Sequence, residues 1–245
     1  MKTSRFLVSL CVMLACAQVA QAAFLDDLLS ILFGPAPSGQ SLDEGTVTSG
    51  LREALSVGTG SAIGIVGVQN GYFGNSAIKI PLPQDMQTTC EVLRKAGFGS
   101  EVDAFVLSMN RAAERAAPRA KEIFMSAIRG MTIQDAYRIL NGPDTAATDY
   151  FRTRTSTRLT EAFRPEISAS MNAVGVTRQY KALNEKYLSL LPLGNRESLD
   201  LDRYVTGKAM DGLFLMVAEE ERKIRTDPAA RTTELLRRVF GKGRQ

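Results

Sequence analysis

The chain has no histidine, no tryptophan and only three cysteines among its 245 residues. Without histidine it lacks the commonest general base and the commonest zinc ligand. Three cysteines build neither a disulfide framework nor a four-cysteine metal site. Strand signals are nearly as scarce. Residues 77–82 (Ala-Ile-Lys-Ile-Pro-Leu) alternate weakly, but Pro81 and the following Pro83 restrict them to one short extended segment or a sheet edge. Disorder is excluded as well. Apolar residues make up 44% of the chain and charged residues 23%, with 30 basic side chains against 26 acidic ones. That is ordinary globular composition.

The N-terminus reads as an address. Lys2 and Arg5 form a basic start, Phe6 to Ala17 is an apolar run, and Ala20-Gln21-Ala22 offers small residues at the positions a signal peptidase reads. The run is too short to span a bilayer. The expected cut falls between Ala22 and Ala23 and delivers the chain to the periplasm. Lipoprotein processing at Cys16 is the weaker alternative, because Met13-Leu14-Ala15 fits a lipobox poorly. Cleavage also removes Cys11 and Cys16, and leaves Cys90 as a lone thiol expected to behave as a small buried hydrophobe. Beyond the address no apolar stretch is long enough for a membrane span. Residues 23–42 read as a short amphipathic segment (Leu25, Leu28, Leu29 and Leu32 against Asp26 and Asp27) followed by a Gly/Pro/Ser linker. Weak association of this region with a membrane surface is the sharper reading of the segment. Docking on the domain or fraying is the plainer one.

From residue 43 to 241 the pattern predicts an all-α domain of about eight helices, followed by a basic tail at 242–245. Val102, Phe105, Val106, Met109 and Ala113 recur at helical spacing until Pro118 interrupts the stripe. Thr132 with Asp135 three residues on predicts a capped helix start, and Asn141-Gly142-Pro143 predicts its end. A helix is expected from 144 to 163, and a separate short one between Pro165 and Gly175. Further helices are expected over 177–191 and after Asp227-Pro228. The glycine-rich stretch 57–75 matches no phosphate-loop spacing, so Ala54, Gly58, Ala62, Gly60 and Gly64 read as a close helix-packing surface.

Candidate chemistry rests on acids. Asp211 stands within Ala209–Ala218, a run apolar nearly all round, and a buried carboxylate there must be paired or have its pKa raised. Glu220 shares a side with Met216 and is placed to turn inward toward Asn110, Arg111 or Glu114, which interrupt an alanine-rich helix. Asn110, Arg111, Glu114, Asp211 and Glu220 therefore form the candidate ligand-binding or interhelical polar cluster. Glu114, Asp211 and Glu220 are the candidate catalytic acids. Glu219–Lys223 and Glu221–Arg225 are i,i+4 pairs expected on a solvated face. Asp200 and Asp202 read as N-capping residues. No cofactor or metal site is indicated, and the basic C-terminal end is too sparse in charge and aromatics for nucleic acid.

The strings MNRAAERAAPRAKEIF (109–124), LNGPDTAATDYFR (140–152), SAIKIPLP (76–83) and DLDRYVTGKAMDGLFLMVAEEERKIRTDPAARTTELLRRVFG (200–241) resemble the bacterial family catalogued as domain of unknown function 4197. The resemblance implies an exported protein with domain limits near Asp43 and Gly241. It implies no activity and carries over no catalytic residue. The sequence thus points to an exported, non-catalytic helical module that binds a protein partner or an apolar ligand. The competing reading is an enzyme built on carboxylates.

Overall fold

The computed structural model describes residues 44–173, Arg178 and residues 200–227. Among these are seven α-helices and one 3₁₀ turn, with no strand: α1 (Glu44–Val66), α2 (Gln84–Lys95), α3 (Gly99–Ala116), the turn Ala117–Arg119, α4 (Ala120–Arg129), α5 (Ile133–Asn141), α6 (Ala146–Ala173) and α7 (Leu201–Thr226). The all-α class matches the expectation. The helices expected over 177–191 and after residue 227, and the segment at 23–33, lie outside the described residues.

Helix α7 is central, packing against α1, α6 and α3. Its buried side carries Leu201, Val205, Ala209, Leu213, Val217 and Ile224. Facing it, α6 contributes Phe151, Leu159, Phe163, Ile167 and Met171, none more than 1% exposed. Phe124 ties α4 to both, with ring centroids 5.0 Å from Phe151 and 6.2 Å from Phe214. Each such ring stabilises the fold by roughly 1.5–3 kcal/mol through burial alone.

Local signals explain several helix ends. At α5, Thr132 accepts a bond from the Asp135 amide, and the Asp135 carboxylate accepts from the Thr132 amide, a complete capping box. Asp200 caps α7 by accepting from the Arg203 amide at 2.9 Å. Pro118 interrupts the α-helix where the sequence predicts. It sits in a single 3₁₀ turn that runs straight from α3 into α4.

Helix α2 ends on Gly97 (φ +94°), where the Phe98 amide donates to the Leu93 carbonyl and the Gly97 amide to that of Arg94. This is a Schellman stop, and the left-handed backbone at Gly97 requires glycine.

One boundary departs from expectation. Pro165 lies inside α6, which continues unbroken to Ala173. The break expected at Pro165 is absent because the apolar stripe runs through it, with Phe163, Ile167 and Met171 all buried. Their packing offsets the ~3 kcal/mol that an interior proline costs. Pro165 itself faces solvent, the side toward which a curved helix bows.

The segment 77–82 is likewise neither strand nor sheet edge but part of a long loop joining α1 to α2. The small-residue surface on α1 divides in two. A Cβ at Gly58 would meet Ile224 Cδ1 at 3.3 Å, so α7 approaches closely there, whereas Gly60 and Gly64 face open space.

Candidate functional site

Three polar assemblies and one apolar knob organise the described surface and interior. The first straps the 67–83 loop onto α3. Asn110 is fully buried, and its side chain mimics a strand partner. Its Oδ1 accepts from the Ile80 amide at 2.8 Å, and its Nδ2 donates to the Ile80 carbonyl at 2.9 Å. One turn on, Glu114 Oε1 accepts from the Tyr72 and Phe73 amides, both at 3.1 Å, and Oε2 accepts from Arg111 at 2.5 Å. Arg111 also donates to Asn70 Oδ1 at 2.8 Å, at a residue held in the left-handed region (φ 68°).

The strap's purpose is satisfaction of buried backbone, since these loop amides have no ladder to join. The loop then closes on α7. Tyr72 donates its hydroxyl to the Ala209 carbonyl at 2.6 Å, and its ring edge fills the space beside Gly212. Burial, reinforced by the nearby Glu114 charge, pushes the Tyr72 hydroxyl above the ordinary phenol range.

The second assembly is a buried ion pair on α7. Glu221 and Arg225 lie 2.8 Å apart, with side chains 6% and 11% exposed. Glu221 also accepts from the Ala147 and Thr148 amides and from the Thr148 hydroxyl, each at 2.9 Å. Arg225 donates to the Ile139 carbonyl at 2.8 Å. The carboxylate thus sits at the N-terminus of α6 and the guanidinium at the C-terminus of α5, each at the helix end whose dipole attracts it. The solvated face expected for Glu221–Arg225 is corrected here. The pair faces inward because Leu213, Val217 and Ile224 place position 221 on the core stripe. The cavity beside it holds about 20 Å³, no more than one water.

The third assembly is open. Between α5 and α6 lies a groove of about 540 Å³, lined among others by Asp135, Arg138, Asp149, Tyr150 and Arg154. The Thr132 side chain and amide hold the Asp135 carboxyl below the usual carboxylate range.

The expected five-residue cluster comes together only in part. Arg111 and Glu114 pair with each other, Asn110 and Glu114 both bind the loop, and Tyr72 carries the loop on to α7. Glu220 instead pairs with Lys223 at 2.6 Å, with its Cβ 3.8 Å from the position a Gly58 Cβ would occupy. It lies eight residues along α7 from Gly212, about 12 Å by helix rise. Asp211 is not buried. Its side chain is 67% exposed, it approaches Arg152 only to 3.8 Å, and Leu215 beside it is 41% exposed. One edge of α7 is therefore open to solvent, and the all-round apolar run conceals it. Glu219–Lys223 gives way to the Glu220–Lys223 pair.

Sequence reasoning missed Glu221 as a buried acid. The signal was present in its i−4 and i+3 neighbours, both core residues. Cys90 is buried and unbridged, as expected. Among the described residues no cluster of acids and thiols suits a metal ion, and no helix is long and apolar enough to cross a membrane.

The knob lies at the α2–α3 corner. Val92, Leu93 and Phe98 are 61%, 40% and 50% exposed, although α2 buries Met86 and Cys90 beneath them. The Schellman stop brings Phe98 back toward Leu93. That accounts for part of the apolar surface but leaves the Val92 side chain without a role in capping. Arg94, bonded to Asp103 at 2.5 Å, and Lys95 flank the knob with positive charge.

Residues 41–241 match the family described as protein of unknown function (DUF4197). The chain belongs to it. No curated protein and no solved structure matches the chain. This member of the family therefore owes its functional reading to its own side chains.

Proposed function

We propose that the protein is an exported, non-catalytic helical module whose α2–α3 corner docks a protein partner. The observation that carries the reading is the exposed knob of Val92, Leu93 and Phe98. A corner fixed by a glycine stop presents these side chains with little conformational freedom left to lose on binding, which favours affinity. Arg94 and Lys95 at its edge suit a partner helix with an apolar stripe and an acidic border. A protein partner is favoured over an enclosed apolar ligand, because the apolar side chains of the corner face outward, Val92 being 61% exposed. The buried acids are occupied in holding the fold: Glu114 binds the loop, Glu221 binds helix ends, and Asp135 caps α5. Export to the periplasm is supported by the Lys2/Arg5 start, the apolar run and the Ala20-Gln21-Ala22 site.

The test uses the full chain expressed in its own envelope with a photo-reactive residue at position 92, and a second version carrying it at exposed Thr160. A discrete adduct from position 92 only, lost in a Phe98→Ser background, is expected. Equal adducts from both positions, or none from position 92, refute the docking face. Intact mass of the same preparation reads the mature N-terminus, and a chain still bearing residues 1–22 refutes export through this signal.

A further inference from the structure

We propose that the groove between α5 and α6 is a second binding site, independent of the corner, for a short peptide with a free ammonium and a free carboxylate. Its volume, about 540 Å³, lies within the range of small-molecule sites. What singles it out is the hydrogen-bonding capacity its charged groups leave unspent.

Arg154 has no hydrogen-bond or ion-pair partner among the described residues. Its guanidinium stands 5.9 Å from the Tyr150 ring centroid and feels the Asp135 carboxylate only through space, so its donors are unspent. Arg138 is 69% exposed on its side chain and meets only Asp135, at 3.8 Å. Two planar forks are thus available for a carboxylate, the geometry they match best.

On the opposite charge, Asp149 accepts from the Thr145 hydroxyl through Oδ2 at 3.1 Å, leaving Oδ1 open. Asp135 differs. Its Oδ2 is fully engaged by the Thr132 amide and hydroxyl, so it serves α5 rather than a ligand. Asp149 is therefore the acid available to an ammonium.

Between them Tyr150 supplies a fixed wall. Its hydroxyl donates to the Ala127 carbonyl at 3.0 Å, which pins the ring and spends its one donor. Two cations, one open acid and an apolar wall complement a zwitterion with a short aliphatic body. They do not complement a simple anion, which Asp149 and Asp135 would repel.

The experiment is a ¹⁵N-detected titration of the full chain with alanylalanine, its N-acetyl form and its C-terminal amide. The free dipeptide is expected to give saturable shifts confined to α5 and α6. Either blocked form, and either of the exposed-site variants Arg154→Ala and Asp149→Asn, is expected to bind roughly tenfold more weakly, the loss of one charge-assisted contact. Absence of saturable shifts up to the solubility limit overturns the proposal. So does equal binding of free and blocked forms, or shifts centred elsewhere. Unchanged amide spectra for the two variants in the absence of peptide separate lost binding from lost folding.

Discussion

Replacing Glu221 with alanine should be among the most damaging single changes away from the aromatic core. The substitution strands two backbone donors, Ala147 and Thr148, and removes the carboxylate that faces the Arg225 guanidinium. Both side chains are largely desolvated, at 6% and 11% exposure, so solvent does little to compensate. Removing one member of a buried pair costs about 3–5 kcal/mol. In a domain of this size that corresponds to a fall of roughly 6–20 °C in Tm.

Arg225→Ala should cost less, about 2–3 kcal/mol, because Glu221 keeps its three donors around α6. The double variant should cost less than the sum by roughly 1–3 kcal/mol, since each single change already forfeits the mutual attraction. Urea unfolding followed by circular dichroism, with m held constant, supplies all four corners of the cycle. Additivity within ~0.5 kcal/mol, or a Glu221→Ala cost below ~1.5 kcal/mol, would refute the double-capping account.

Three further outcomes follow from the same geometry. Tyr72 stays neutral in the fold while its unfolded counterpart ionises near pH 10, so its contribution is complete below that pH and declines above it. Tyr72→Phe should therefore lose about 1 kcal/mol at neutral pH yet show a shallower alkaline decline in urea midpoints, and an unchanged alkaline slope would contradict this. Gly212→Ala places a Cβ 2.7 Å from the Tyr72 ring and 3.1 Å from Ile78 Cβ, and it should cost about 1–3 kcal/mol in urea unfolding. The Asp135 carboxyl is held low by Thr132, so its contribution is present above roughly pH 4 and disappears as pH falls through its folded value. Thr132→Ala should cost about 1 kcal/mol at pH 7 and less at pH 3, and an equal cost at both would exclude the cap as the cause.

The features legible in the sequence are those fixed within a turn or two. Thr132 with Asp135 and the Gly142-Pro143 stop need no distant partner, and the structure has them where the spacing predicts. Pro165 misled because the outcome depends on what Phe163, Ile167 and Met171 meet across the core, information a local breaker rule does not contain. Asp211 and Glu221 exchange places for a related reason. A run apolar nearly all round hides which narrow edge remains uncovered, and an i,i+4 acid–base pair is spelled the same way on a surface as inside. Asn110 and Glu114 were recognised as out of place among alanines, but their partners are backbone groups of the loop, which have no letter of their own.

The two-ended clasp formed by Glu221 and Arg225 bears on how the molecule comes apart. Fraying the end of α5 uncovers a positive charge, and fraying the start of α6 uncovers a negative one, so neither end loosens without unsettling α7. Amide protons at Ile139, Ala147 and Val217 should then exchange with solvent in a single shared event rather than in order of their depth, which would make this half of the domain open all at once or not at all.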